Sequence, residues 1–205
     1  GVKSEPNVSE NMSLEPLTDY SKFKAMCEEI LIKYKSEDFT PIVIRPATVC
    51  GFSPRQRLDL VVNILSNLAF NKKKITVFGG PQLRPNIHID DMVDAYLLVL
   101  ESPKEKVSGE IYNVGYENQP VSELALAVKS VVGKDVEIIT QTTNDNRSYH
   151  ISSEKIFNDL GFKAKKTVKN AVEDLIDAFK KNKFQDPLSN DNYFNIKKMQ
   201  KIKLK

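Results

Sequence analysis

Apolar positions recur along this chain with two periods, and the periods alternate. Leu58, Val61, Val62, Leu65 and Leu68 fall at helical spacing, which predicts a helix from about Arg57 to Phe70. Leu124, Val128, Val131 and Val132 make a second stripe, opened by Ser122 and stopped by Gly133. Val168, Val172, Leu175, Ile176 and Phe179 make a third. Asp90 reads as the N-cap of a helix running to about Glu101, with acidic residues in its first turn and Pro103 beyond its end. Ser152 or Ser153 starts a short helix ending at Gly161, and the stretch after Leu17 reads as a helix through about Tyr34. Short apolar runs lie between them. Pro41 to Ile44, Ile75 to Phe78, Glu110 to Val114 and Val136 to Thr140 read as strands. Strands alternating with helices predict an α/β protein.

Composition changes this picture little. The 205 residues carry a net charge of +3 and ordinary hydrophobic content at 40%, with no apolar run long enough for a membrane span. No nucleic-acid or membrane partner is expected from these values. Cys27 and Cys50 do not form a disulfide framework, and with no secretory pattern at the start they point to a reducing cytoplasm. No Cys/His spacing suggests a metal site. The Lys-rich stretch 183–205 reads as a solvated tail. The arginines say more. Five stand beside twenty-five lysines, namely Arg45, Arg55, Arg57, Arg84 and Arg147, and all fall at strand ends or in turn-rich loops. Guanidinium suits planar recognition of phosphate or carboxylate, so this placement points to an anionic ligand; pairing with local carboxylates is the alternative.

Tyr20 and Lys24 stand four apart at the start of the first helix, on one face. A neighbouring ammonium favours phenolate and makes the phenol a usable acid/base. A Tyr-x-x-x-Lys arises about once by chance in such a chain, and a second copy, Tyr193 to Lys197, lies in the polar tail. Only the first copy is followed by an apolar strand. No Gly-rich turn between a strand and a helix appears anywhere, so the phosphate cradle for a dinucleotide is absent from these residues.

The order of segments resembles the C-terminal half of an extended short-chain dehydrogenase/reductase of the nucleotide-sugar epimerase/dehydratase kind. Tyr20-x-x-x-Lys24 with Glu28 resembles its catalytic helix, and Arg45 to Gly51 the strand end and loop that meet nicotinamide and sugar nucleotide. Val77 to Arg84 is similar to the hairpin around the base, ending in a diphosphate-binding arginine. Ile87 to Met92 resembles a helix entry, Tyr112 to Gly115 the strand returning to the main sheet, and Asn146-Arg147 the second diphosphate arginine. Three positions depart from the pattern: Phe23 stands where Ser or Thr is usual, Thr48 where asparagine is common, and Pro85 where aspartate is usual.

The resemblance implies the second half of a Rossmann-type doubly wound parallel sheet plus a smaller α/β substrate-binding domain. Residues 1–47 would belong to the NAD-binding domain, with its N-terminal half missing, and 48–182 mainly to the substrate domain, with 109–115 returning to the Rossmann sheet. It implies NAD as cofactor, a nucleotide-diphosphate sugar as partner, and a homodimer. Tyr20 and Lys24 would be catalytic. Lys24, Pro46 and Ala47 would meet the cofactor. Thr48, Arg57, Asn63, Val77, Arg84 and Arg147 would meet the substrate. The expected reaction is 4-epimerisation of a nucleotide-linked hexose through a keto-sugar. Alternatives are a 4,6-dehydratase or decarboxylase of the same family, and a non-catalytic fragment or binding module. The isolated chain is expected to bind NAD poorly and to be inactive. His88 and His150 are expected to be structural.

Overall fold

The computed structural model describes residues 3, 5–143 and 148–203. Among the described residues seven strands form three small sheets, with helices packed between and around them. In chain order the elements are α1 (Asp19–Lys33), β1 (Val43–Pro46), β2 (Thr48–Cys50), α2 (Val61–Lys72), β3 (Lys74–Phe78) and β4 (Leu83–His88). They continue with α3 (Ile89–Glu101), α4 (Lys104–Val107), β5 (Ile111–Val114), β6 (Glu117–Pro120), α5 (Val121–Val132) and β7 (Glu137–Gln141). The chain ends with α6 (Glu154–Leu160), α7 (Val168–Lys180), a 3-10 turn over Asp191–Tyr193, and α8 (Asn195–Lys201).

β1 pairs in parallel with β5, placing Pro46 opposite Val114. β3 pairs in parallel with β7. The third sheet, ordered β2-β4-β6, joins β2 and β4 in parallel and β4 and β6 antiparallel. One residue, Ala47, separates β1 from β2. Its N–H donates to Val114 O at 2.8 Å, and the next residue already lies in register with Asn86 of β4. The chain therefore changes sheets at Pro46–Thr48, and the divergence opens a crevice beside the carboxyl end of β1, where α/β sheets commonly place ligands.

Two cores flank this strip. One gathers Leu58, Val62 and Leu65 with Leu124, Val128, Val172 and Leu175, joining α2, α5 and α7. The other packs Met92, Ala95 and Val99 of α3 against Ile87, Tyr112, Val114 and Ile156. The stripes read from α2, α5 and α7 face the first core, with Leu68 of α2 outside it, because burying one face is what makes an amphipathic helix stable.

Several expectations are corrected by the structure. The strands of the β2-β4-β6 sheet are not among the expected ones, since β4 and β6 carry Pro85, Asn86, Asn118, Gln119 and Pro120 rather than alternating apolar residues. α2 begins at Val61 and not near Arg57. Leu58 keeps the helical period but is buried from a loop. The cap of α3 is His88, whose Nδ1 accepts from the Asp90 N–H at 3.1 Å, and Asp90 lies inside the helix. The segment expected as a solvated tail docks in part: Phe184 is buried in the first core, and Tyr193 and Phe194 pack against it. Three aromatic residues among lysines and asparagines are too sparse to show a period.

Candidate active site

α1 presents the phenol. A capping box fixes its start, with Thr18 accepting from the Ser21 N–H and Ser21 from the Thr18 N–H. No residue of α1 is buried. What anchors it is polar: Arg45 of β1 forks onto Glu28, with Nε 3.1 Å from both carboxylate oxygens and Nη2 2.6 Å from Oε2. This arginine therefore pairs with a local carboxylate, the alternative reading of its placement. The fork sets the helix against the end of β1 and leaves Tyr20 76% exposed.

Tyr20 lines a cleft of about 520 Å³ whose other walls include Pro46, Ala47, Thr48, Arg57 and Asn63. A second cleft, of about 410 Å³, shares this strip and is lined by Arg84, Arg45, Tyr149, His150 and again Pro46 to Thr48. The strip where the chain changes sheets is thus a wall shared by the cleft that holds Tyr20 with Arg55 and Arg57 and the cleft that holds Arg84. Lys24 is exposed one turn along from Tyr20 and lines neither cleft. Val77 is 1% exposed within the first core and lines neither. Arg147 lies outside the described residues.

Local contacts explain how the larger cleft keeps its shape. Gly51 has φ near +107°, and a Cβ there would lie 3.2 Å from both His88 Nε2 and Ile89 Cγ2, so only glycine turns the chain at this point. Asn63, 3% exposed, accepts the Gly51 N–H at 3.1 Å and donates to Arg57 O at 2.8 Å. Its amide is committed to holding the loop. Gln56 donates to Gly51 O at 3.2 Å and accepts from the Ser53 N–H at 3.0 Å. Arg57 is held by Asp59 through two parallel bonds, Nε to Oδ1 at 2.9 Å and Nη2 to Oδ2 at 3.1 Å.

In the smaller cleft the Arg84 guanidinium lies 5.5 Å from the centroid of the Tyr149 ring and donates through Nη1 to Leu83 O at 3.0 Å. His150 Nδ1 accepts from the Asn7 N–H at 2.9 Å, which closes the cleft with the loop before α1. Lys3 lines the same cleft, hydrogen-bonded and paired to Glu15, whose carboxyl it holds below the ordinary range. His88 is buried with Nε2 3.0 Å from Asp174 Oδ2, tying β4 to α7. Cys50 ends β2, 2% exposed in the wall of the larger cleft. Burial, with the charges of Glu117 and Asp91, pushes its thiol up to about 12.

Sequence reasoning did not find Tyr149 and Gln56 as parts of these walls, or Asp59 as the residue that holds Arg57. Asp59, two residues from Arg57, carried the only local signal: a carboxylate beside one of five arginines.

Comparison with known proteins converges on one family. The profile of the NAD dependent epimerase/dehydratase family matches residues 1–115. An uncharacterized UDP-glucose epimerase of Bacillus subtilis is 36% identical over 130 residues, covering 62% of this chain and 40% of that protein. The human dTDP-D-glucose 4,6-dehydratase is 27% identical over 194 residues, covering 89% of this chain and 54% of that one. The chain thus spans about half the length of the curated relatives it matches. Among solved structures, a UDP-glucose 4-epimerase from Thermotoga maritima, crystallised with UDP-glucose, superposes with a TM-score of 0.78 at 24% identity. That match covers 90% of this chain and 60% of the other, and shows a shared fold.

Proposed function

The chain belongs to the NAD dependent epimerase/dehydratase family, and on that premise we propose that it carries the substrate side of a nucleotide-sugar 4-epimerase. The observation that carries this reading is the strip Pro46–Thr48, which lines both the Tyr20 cleft and the Arg84 cleft. The nicotinamide end of NAD fits this place: it adjoins the carboxyl end of parallel β1, open to the phenol, with Lys24 on the phenol's face. Lys24, Pro46 and Ala47 would hold it there. The Gly-rich turn for a dinucleotide pyrophosphate is not among these 205 residues. NAD, when bound, supplies a reversible acceptor for hydride from the sugar carbon.

The chain's own residues do the rest. Tyr20 Oη takes the proton of the sugar hydroxyl and later returns it, with Lys24 one turn along on the same helix. Arg84 holds the diphosphate, and Arg147 is its proposed partner in that grip. Arg57 and Thr48 contact the sugar nucleotide from the wall of the larger cleft. Asn63 serves through the Gly51 turn and the Arg57 carbonyl. Val77 supports the strand that leads to the base.

The test is Tyr20→Phe in the protein that joins this chain to a nucleotide-binding half, assayed with UDP-glucose and NAD. Turnover falls by about 10²–10⁴-fold, the range of one acid/base group, while UDP-glucose binding persists. Unchanged turnover rejects the assignment. The match to a dTDP-D-glucose 4,6-dehydratase over 89% of the chain favours one alternative reaction on the same site. Release of a dehydrated keto-sugar, instead of an epimer, would establish it.

A further inference from the structure

The segment that follows α7 does more than its lysines imply. Phe184 seats in the first core, its ring centroid 4.8 Å from that of Phe179, 5.8 Å from Phe52 and 5.9 Å from Tyr193. Pro187 O accepts from Asn67 Nδ2 at 2.8 Å, and Tyr193 O accepts from the Leu58 N–H at 2.9 Å. Asn195 completes the contact. Its N–H donates to Asp59 Oδ2 at 2.9 Å, and its Oδ1 accepts from Arg55 Nη2 at 3.2 Å. Asp59 is the same carboxylate that forks Arg57. The polypeptide from Phe184 to Asn195 therefore grips the loop that carries both Arg55 and Arg57 into the larger cleft.

We propose that this C-terminal segment is a positioning clamp of the site, with Asn195 orienting Arg57 through Asp59 toward an anionic ligand in the cleft. The inference rests on the proposed nucleotide-sugar site. Arg57 and Asp59 are two residues apart on an irregular loop, where a carboxylate held only by its fork could swing with the loop. A third donor from more than a hundred residues away fixes the plane of the carboxylate, and with it the guanidinium. A guanidinium ordered before binding loses less side-chain entropy when the ligand arrives. Asp59 and Asn195 are positioning residues, since neither is proposed to touch the ligand.

Asn195 is the first residue of α8, and Phe194 before it is extended, with φ −126° and ψ 96°. Proline is accommodated at that helical position and after such a residue. Asn195→Pro therefore removes both contacts without removing a helical hydrogen bond. The readouts are the Arg57 Nε–H signal in nitrogen-15 NMR spectra of the 205-residue chain and its affinity for UDP-glucose by calorimetry. The signal is sharp in the parent chain and broadened by exchange in Asn195→Pro, and affinity falls by about tenfold, the scale of one weakened charged contact. An unchanged Arg57 signal in the variant overturns the clamp. A first-turn amide lacks a helical acceptor, so the Asn195 N–H of the parent chain should exchange slowly only because Asp59 holds it. Fast exchange there also overturns the proposal, whether or not the proline variant folds. If the Arg57 signal responds while neither protein binds UDP-glucose, the clamp stands and the substrate reading fails.

Discussion

Helices α1 and α7 are of similar length, fifteen and thirteen residues, and the fold uses them in opposite ways. α7 buries seven side chains, from Val168 to Phe179. α1 buries none and leaves Tyr20, Phe23, Met26 and Ile30 exposed. One helix is placed by apolar area, the other by a capping box and the Arg45–Glu28 fork. The comparison shows how a buried, packed helix and an exposed one coexist in a single fold. A core helix gains stability by hiding its face, whereas α1, which is proposed to bear the proton-transfer group, leaves part of its surface open to ligand.

The largest expected effect tests the buried side of that contrast. Leu175→Ala should lower unfolding free energy in urea by about 2–5 kcal/mol, the cost of a cavity in a packed core. Ile30→Ala on α1 should change it by no more than about 0.5 kcal/mol. Equal costs would mean that the exposed face of α1 is covered in solution, and would break the comparison.

The two cysteines sharpen it with chemistry. Cys27 lies exposed on α1, and Cys50 is buried in the first core. A disulfide reagent at pH 8 should titrate one thiol in the native chain and two after unfolding. Rapid reaction of both would show the core open. Because the Cys50 thiol is raised from an ordinary 9.0 to about 12, its contribution to stability is complete below pH 9 and is lost between pH 9 and about 12. Cys50→Ala should flatten that part of a stability–pH curve, and an unaltered slope would contradict it.

The smallest effect lies on the surface between the helices. Lys166 hydrogen-bonds and pairs with Asp90 near the start of α3, which lowers the Asp90 carboxyl below its ordinary 3.8. A depressed carboxyl stabilises the fold above its unfolded value and loses that contribution as pH falls through the folded one. Asp90 is largely open to solvent, so screening keeps the contribution under about 1 kcal/mol. Lys166→Met should therefore cost little at pH 7 and less as pH falls below 3.8, read as the difference between thermal midpoints. A larger loss at low pH would reverse the assignment.

The stripes of α2, α5 and α7 and the apolar runs of β1, β3, β5 and β7 were legible from residue order alone, because burial on one face imposes a period that any window of sequence displays. Tyr20, Lys24, Arg57, Asn63 and Arg84 could be singled out by residue type and by resemblance. The β2-β4-β6 sheet could not, since its strands are stabilised by ladder bonds between distant segments and carry proline and amide side chains that show no period. The same holds for the docking of Phe184 and Tyr193.

What the sequence by itself determined is the α/β class, the helix faces and the candidate reactive groups, all properties that neighbours within a dozen residues impose. Only the tertiary structure decided that Ala47 is where one sheet yields to another, that this strip walls two clefts, and that Asn195 reaches back to Asp59. Each of those depends on which remote backbone groups find partners, and pairing across a hundred residues leaves no local pattern to read.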